Sequence, residues 1–323
     1  PMASPRTSSQ TSPILDINGL SVRFPCPGGE VAAVFGASLS VPRGRTLAVI
    51  GESGSGKSML ALAVCGLLPG AARLTGRMAF DGTDLTTLGR EAMRGLRGRR
   101  IAYVPQGAGV ALNPTMICGE QVAEVYRERR GLAAGRSRSL TTRLFERLGL
   151  PGAFGGHAHS LSGGMRQRVL VSMGLAGTPD LLIADEPTKG IDPELRGEVE
   201  ELFAEARRDA PDMAMLCITH DLALAERIAD DVAVMYAGTV VEQGPARELF
   251  AEPRHPYTAG LLAATPQRGL VPMPGMAPRP GTRPAGCVFH PRCALAGARC
   301  REHSPDAVIQ NPGMVRCWSH AAA

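Results

Sequence analysis

Aromatic residues account for only 4% of this 323-residue chain, and no basic run is interleaved with them. Stacking platforms beside cationic stripes are what grip nucleic acid, so no nucleic-acid partner is expected. Long apolar stretches are also missing: the longest nearly continuous one, Met59 to Leu68, is about half of the ~20 residues a membrane-spanning helix requires. Any membrane association is therefore expected to run through a partner. Residues 1–12 are polar, rich in Ser, Thr and Pro, and lack the apolar centre of a secretory leader; they read as a disordered tail. The chain is expected in the cytoplasm. Charge of neither sign dominates: 35 basic against 30 acidic residues leave a modest +5, which favours anionic partners in general without singling out nucleic acid. None of the eight cysteines forms a CxxC pair, and a reducing compartment argues against a disulfide framework. Cys26, Cys65, Cys118 and Cys217 are scattered and read as small core or surface residues, whereas Cys287, Cys293, Cys300 and Cys317 crowd the C-terminal end.

What is present is organised around residues 47–58, LAVIGESGSGKS. An apolar strand ends in a glycine-rich loop, and a helix over Met59 to Leu68 follows. Gly51, Gly54 and Gly56 allow the backbone N–H groups of the loop, those of Ser53 and Ser55 included, to turn inward on a phosphate at a helix N-terminus. Lys57 would reach the β- and γ-phosphates, and the Ser58 hydroxyl would ligate Mg²⁺. A plain strand-to-helix turn would explain the glycines but not the order strand, loop, Lys-Ser, helix.

The rest of the chain alternates strands and helices. Strands are expected from Ile14 to Phe24 and from Glu30 to Val41 about a turn at 25–29. Phe24 suits an adenine ring or a strand core equally well. Five arginines between Gly89 and Arg100 read as a solvated helix face. A strand from Ile101 to Pro105 ends on Gln106, and residues 107–160 read as a helical insert, with helices at Gly119 to Arg130 and Leu140 to Leu148. Further strands are expected at Leu181 to Ala184 and Met213 to Thr219, with helices at Glu194 to Arg208 and Asp221 to Ala229 and a closing hairpin near Val232 to Val241. This pattern predicts a mostly parallel sheet covered on both faces, with ligand at the carboxyl ends of its strands. Gln106, Asp185 and His220 each follow a strand and should converge on Lys57 and Ser58.

Asp185 and Glu186 close the apolar run LLIA, the first placed to hold Mg²⁺ and the second to polarise an attacking water, although paired acids also suit a helix N-cap. LSGGMRQR, residues 161–168, sets Ser162, Gly163 and Gly164 at a helix start, which is a second anion site. One triphosphate does not need two such sites, so this one is expected to face the γ-phosphate held by another subunit.

Taken together, GESGSGKS, Gln106, LSGGMRQR, LLIADEP and Thr219-His220-Asp221 resemble the ATP-binding cassette of ABC transporters. The resemblance implies an α/β P-loop NTPase fold, with a RecA-like core, a β-subdomain and an α-helical subdomain at about 107–168, all within a nucleotide-binding domain at 13–250. It implies ATP and Mg²⁺ as ligands, Gln106 as a sensor of Mg²⁺ and of the membrane subunits, Asp185 on Mg²⁺, Glu186 as catalytic base, and His220 on the γ-phosphate. Ser162, Gly163 and Gly164 would complete the partner's site. The family's Ser-Ala-Leu-Asp run reads Lys189-Gly190-Ile191-Asp192 here; Asp192 keeps the subunit cross-talk residue.

PRHPYTAGLL, residues 253–262, is similar to the C-terminal extension of ATPases that energise peptide and nickel importers, and residues 251–323 form that Cys-rich extension. The resemblance implies a four-iron four-sulfur cluster on Cys287, Cys293, Cys300 and Cys317; four thiolates suit zinc as well, or no metal at all. His290 is a further candidate ligand or a turn residue, and the Pro-rich stretch Val271 to Pro284 reads as a semi-rigid linker. The implied partners are a second, different ABC ATPase, two transmembrane permease subunits and, indirectly, an extracytoplasmic solute-binding protein, at the cytoplasmic face of the inner membrane. Peptides are the expected solute, with nickel or another small solute, or a soluble non-transport ATPase, as the alternatives.

Overall fold

The computed structural model describes residues 12–191, 196–279, 281–310 and 312–320. Two long strands, β1 (Leu15–Cys26) and β2 (Gly29–Val41), bury Leu15, Ile17, Leu20 and Val22 against Val34, Leu39 and Val41. Their pairing continues through Pro25 opposite Glu30, so the turn shrinks to Pro27 and Gly28, with Gly28 at φ +94°. The five-residue turn expected at 25–29 was too long. Proline is tolerated there because this end of the hairpin is exposed.

Next come β3 (Thr46–Ile50), wholly buried, and α1 (Lys57–Val64). The helix begins two residues before the expected start because Gly56, at φ +101°, turns the chain directly into it. It stops at Val64, where Gly66 at φ +60° breaks it, and not at Leu68. β4 (Arg73–Phe80) and β5 (Thr83–Asp84) complete an antiparallel sheet in the order β2-β1-β4-β5. α2 (Arg90–Leu96) leaves Arg90 and Arg94 exposed, as expected of a solvated face, and Arg99, just past the helix, is exposed too. Arg97 and Arg100 depart from it: Arg97 donates to the Cys65 and Gly66 carbonyls, and Arg100 pairs with Asp81 and Asp180, both at 2.6 Å.

β6 (Ile101–Val104) and α3 (Ala108–Ala111) lead into the helical insert of α4 (Cys118–Arg130), α5 (Ala134–Arg147) and α6 (Gly163–Ala176). Val122, Tyr126, Leu144, Phe145 and Leu170 form its shared core. α5 starts six residues before the expected Leu140. Ser137 and Thr141, which break the apolar pattern, are buried and donate their hydroxyls to the Ala133 and Ser137 carbonyls, hiding their polarity inside the helix.

The core then proceeds through β7 (Leu181–Asp185), α7 (Arg196–Asp209), β8 (Ala214–Thr219), α8 (Leu222–Ile228), β9 (Asp231–Tyr236), β10 (Thr239–Pro245) and α9 (Ala246–Ala251). The last part contains α10 (Pro256–Ala263), α11 (Ala298–Glu302), β11 (Val308–Ile309) and β12 (Met314–Val315). The main sheet runs β11-β12-β10-β9-β3-β8-β7-β6, and β6, β7, β8, β3 and β9 are mutually parallel. Their carboxyl ends therefore share one edge. β9 belongs to this parallel core beside β3, so the expected closing hairpin is half core strand.

The residues after 250 are continuous with the cassette in packing. β12 pairs with β10, Glu242 opposite Val315, and Tyr257, Val288 and Phe289 share a core with Ile50, Val234 and Tyr236. The stretch read as a spacer is held too: Val271 donates to the Ala263 carbonyl, and Arg283 lies 4.1 Å above the Phe35 ring while donating to the Ala237 carbonyl and Thr239 Oγ1. An arginine that finds carbonyl acceptors and a ring face immobilises a segment that composition alone marks as extended.

Candidate active site

Backbone crowding dictates two of the loop's glycines, Gly51 and Gly56. A Cβ on Gly51, at φ +150°, would lie 2.1 Å from the Met235 carbonyl oxygen, and one on Gly56 would lie 2.2 Å from that of Ala33. The loop thereby nests against β9 and β2. Lys57 Nζ, buried, donates to the Gly51 carbonyl at 2.8 Å and to that of Glu52 at 3.0 Å. Burial lowers its pKa, while the negative charges of Glu186, Asp185 and Glu52 pull the other way.

Beside it, Ser58 Oγ donates to Asp185 Oδ1 at 3.1 Å and Tyr103 Oη donates to Oδ2 at 3.1 Å. Burial raises the Asp185 pKa despite these two donors, and the neighbouring Glu186 charge adds to the rise. A buried carboxylate of this kind is eased by a hard cation, and the oxygen donors Ser58 and Asp185 fit Mg²⁺, which would neutralise charge on the β- and γ-phosphates.

Glu186 has φ +52°, unusual for a residue with a side chain, and its N–H is held by the Ile218 carbonyl at 2.8 Å. Its Oε2 lies 2.5 Å from His220 Nδ1. A cavity of about 480 Å³ is lined by Ser53, Gly54, Ser55, Gly56, Lys57, Ser58, Gln106 and Glu186, with Lys189 adding a second ammonium. The expected convergence of three strand ends on the loop is thus what the parallel sheet produces.

Other expected residues lie elsewhere. Phe24 packs against the apolar core opposite Val31, and the cavity wall at that end is Val31 and Phe35. Ser162, Gly163 and Gly164 open α6 away from the cavity lining; Ser162 Oγ accepts from the Met165 N–H at 3.2 Å, and Gly163 lies against the Gly190 carbonyl. Asp192 lies outside the described residues. Tyr103 was missed by sequence reasoning because only the parallel pairing of β6 with β7, Tyr103 opposite Ile183, brings it to Asp185.

In the extension, the Cys287 N–H donates to the Cys300 carbonyl at 2.8 Å. The Cys287 thiol is pushed up mainly by burial, and Cys300, Cys317 and Cys293 add to the rise. The donor set suits a thiophilic metal. Yet among the described residues no three Cys, His, Asp or Glu side chains are grouped to hold a metal ion, and as placed the thiols do not close on one centre. His290 Nδ1 is 3.0 Å from the Cys287 carbonyl oxygen and serves the turn. Among the described residues no helix is long and apolar enough to cross a membrane.

A cavity that offers loop N–H groups and Lys57 to a triphosphate, oxygen donors to a divalent cation and a buried carboxylate to water is equipped for ATP hydrolysis, and the fold around it is that of an ATP-binding cassette. Residues 34–189 match the ABC transporter family, and residues 241–300 match the oligopeptide/dipeptide transporter C-terminal region. The chain is 38% identical over 316 residues to the dipeptide transport ATP-binding protein DppD of Bacillus subtilis, covering 94% of each. It is 38% identical over 319 residues to the oligopeptide transport ATP-binding protein OppD of Haemophilus influenzae, covering 96% of this chain and 98% of the relative. The dimeric structure of MJ0796, a bacterial ABC transporter cassette, superposes with a TM-score of 0.65 at 22% identity, over 72% of this chain and 99% of that one. The chain belongs to the ABC transporter family, as an ATP-hydrolysing subunit.

Proposed function

We infer that this ATPase powers the import of peptides through a membrane permease. The observation that carries the reading is that one chain joins the cavity of Lys57, Ser58 and Glu186, with Asp185 on Ser58 and His220 on Glu186, to a C-terminal region of the oligopeptide/dipeptide transporter type. Its relatives are named for dipeptide and oligopeptide transport. In this reading the loop and Lys57 bind the triphosphate, and Glu186, oriented by His220, takes the proton of the attacking water. Gln106, exposed at the cavity mouth, would relay contact with two permease subunits at the cytoplasmic face of the membrane. The cassette would pair with a second, different ATPase, and Ser162, Gly163 and Gly164 would face the γ-phosphate bound there. The domain limits near residue 250 belong to the same reading, and any ring stacking on the adenine falls to Phe35 on the cavity wall, not to Phe24.

Cys287, Cys293, Cys300 and Cys317 would carry an iron–sulfur cluster once drawn together; the support is that all four fall between residues 287 and 317 and that the Cys287 N–H already bonds the Cys300 carbonyl. Iron and sulfide analysis with visible absorbance checks it, and a Cys287→Ser, Cys293→Ser double variant with unchanged absorbance and iron content would remove it.

The transport reading is tested by reconstituting the chain with its permease subunits and binding protein in liposomes. Labelled di- or oligopeptide should accumulate only with ATP, and Lys57→Ala should abolish uptake. Accumulation of a nickel chelate in place of peptide would overturn it.

A further inference from the structure

Arg292 sits one residue before Cys293, yet its side chain, 5% exposed, closes on the phosphate-binding loop 240 residues earlier. Nη1 donates to Glu52 Oε2 at 2.8 Å and Nη2 to Oε1 at 3.0 Å, a two-pronged pairing, while Nε donates to the Pro274 carbonyl at 2.9 Å. The guanidinium lies 5.8 Å from the Tyr236 ring centre. Glu52 is held at two further points: its N–H donates to Tyr257 Oη at 2.9 Å, and its carbonyl accepts from Lys57 at 3.0 Å. Tyr257 and Phe289 pack on Tyr236, with ring centres 4.5 and 5.3 Å apart, directly after the Met235 carbonyl that Gly51 abuts.

A carboxylate is out of place in a loop that must receive a triphosphate. Glu52 precedes Ser53 on the cavity wall, and its charge acts on the Lys57 ammonium. Left bare, it would repel the ligand and draw on the same lysine. The planar fork of Arg292 cancels that charge and fixes the direction of the side chain, which a lysine's point charge does less well. We propose that Arg292 is a positioning residue of the ATP site: it neutralises and anchors Glu52, so that the Cys-rich extension, and not the cassette alone, sets the affinity for ATP. Tyr257 is its companion on the loop backbone. The proposal rests on residues 51–58 being the triphosphate site.

The test uses the full-length chain for ATP binding by calorimetry, and the assembled transporter for ATPase kinetics. Arg292→Ala is expected to raise Kd and KM for ATP on the order of tenfold, with kcat within about threefold. Arg292→Lys should weaken binding about threefold, since it keeps the charge without the fork. The double variant Arg292→Ala, Glu52→Gln should recover to within about threefold of the wild-type Kd, because no bare carboxylate remains. A mere docking role would leave the double variant as weak as the single one, and that result overturns the proposal. So does an unchanged Kd in Arg292→Ala or, if that variant does not fold, in Arg292→Lys. Lys57→Ala separates the two readings: if it binds ATP normally, the loop assignment itself fails, whereas loss in Lys57→Ala with no change at Arg292 rejects this inference alone.

Discussion

Nδ1 of His220 lies 2.5 Å from Oε2 of Glu186, and the backbone N–H of His220 points at the same oxygen from 3.4 Å. Two groups of the residue just after β8 therefore hold the carboxylate of the residue just after β7, in a backbone conformation that persists only where its surroundings brace it. Such a carboxylate is oriented before water arrives. Glu186→Gln, which keeps the shape and loses the proton acceptor, should lower kcat about 10²- to 10⁴-fold with the Kd for ATP within about threefold. Steady-state ATPase assays and nucleotide titration read the two numbers separately. An undiminished kcat removes Glu186 as the base.

Ser162 offers a test of the shared cleft that spares the fold. Its hydroxyl caps α6 by accepting from Met165, and aspartate caps a helix equally well. Ser162→Asp should leave the stability of the chain and its own affinity for ATP unchanged. Facing a phosphate across the subunit boundary, the new charge should cut the ATPase rate of the assembled transporter on the order of 10²-fold. Comparing the isolated chain with the assembly decides it; equal loss in both, or in neither, is against the arrangement.

Gly51→Ala should fail structurally before it fails chemically. The added methyl would meet the Met235 carbonyl oxygen at 2.1 Å, a backbone atom that cannot rotate aside, at φ +150°. Overpacking and strain of this kind cost about 3 kcal/mol or more. Urea denaturation should show that loss together with lost nucleotide binding, and a variant of wild-type stability would mean that the loop is not wedged against β9.

His255 supplies a pH dependence of stability unrelated to catalysis. It is buried, accepts from the Tyr257 N–H at 3.0 Å, and has Glu242 on its own N–H and His320 nearby. Burial pulls its pKa from 6.5 down to about 4. The unfolded chain therefore binds the proton first as pH falls, so the stabilisation is complete above pH 6.5 and drains away between 6.5 and about 4. The full effect is about 3 kcal/mol. Urea midpoints measured across that window should fall more steeply for the wild type than for His255→Gln; parallel curves would show that His255 is not the group responsible.

The chain's own order of residues determined the chemistry at the phosphate end. Loop, lysine, serine and paired acids are short runs whose geometry depends on neighbours within a few positions, so spacing is enough to read them; the Ser-Gly-Gly helix start is equally legible as a cap, but what it faces is not set within this chain. Alternating strands and helices likewise determined that Gln106, Asp185 and His220 would meet, because parallel strands put their carboxyl ends on one edge. The tertiary structure alone decided that Tyr103 braces Asp185, that Phe24 lies in the core while Phe35 walls the cavity, and that Arg292 answers Glu52 across 240 residues. The start of α5 was hidden as well, since Ser137 and Thr141 satisfy their hydroxyls on their own helix. These features follow from sheet order and side-chain satisfaction, which join residues by proximity in space and leave no periodic trace along the chain.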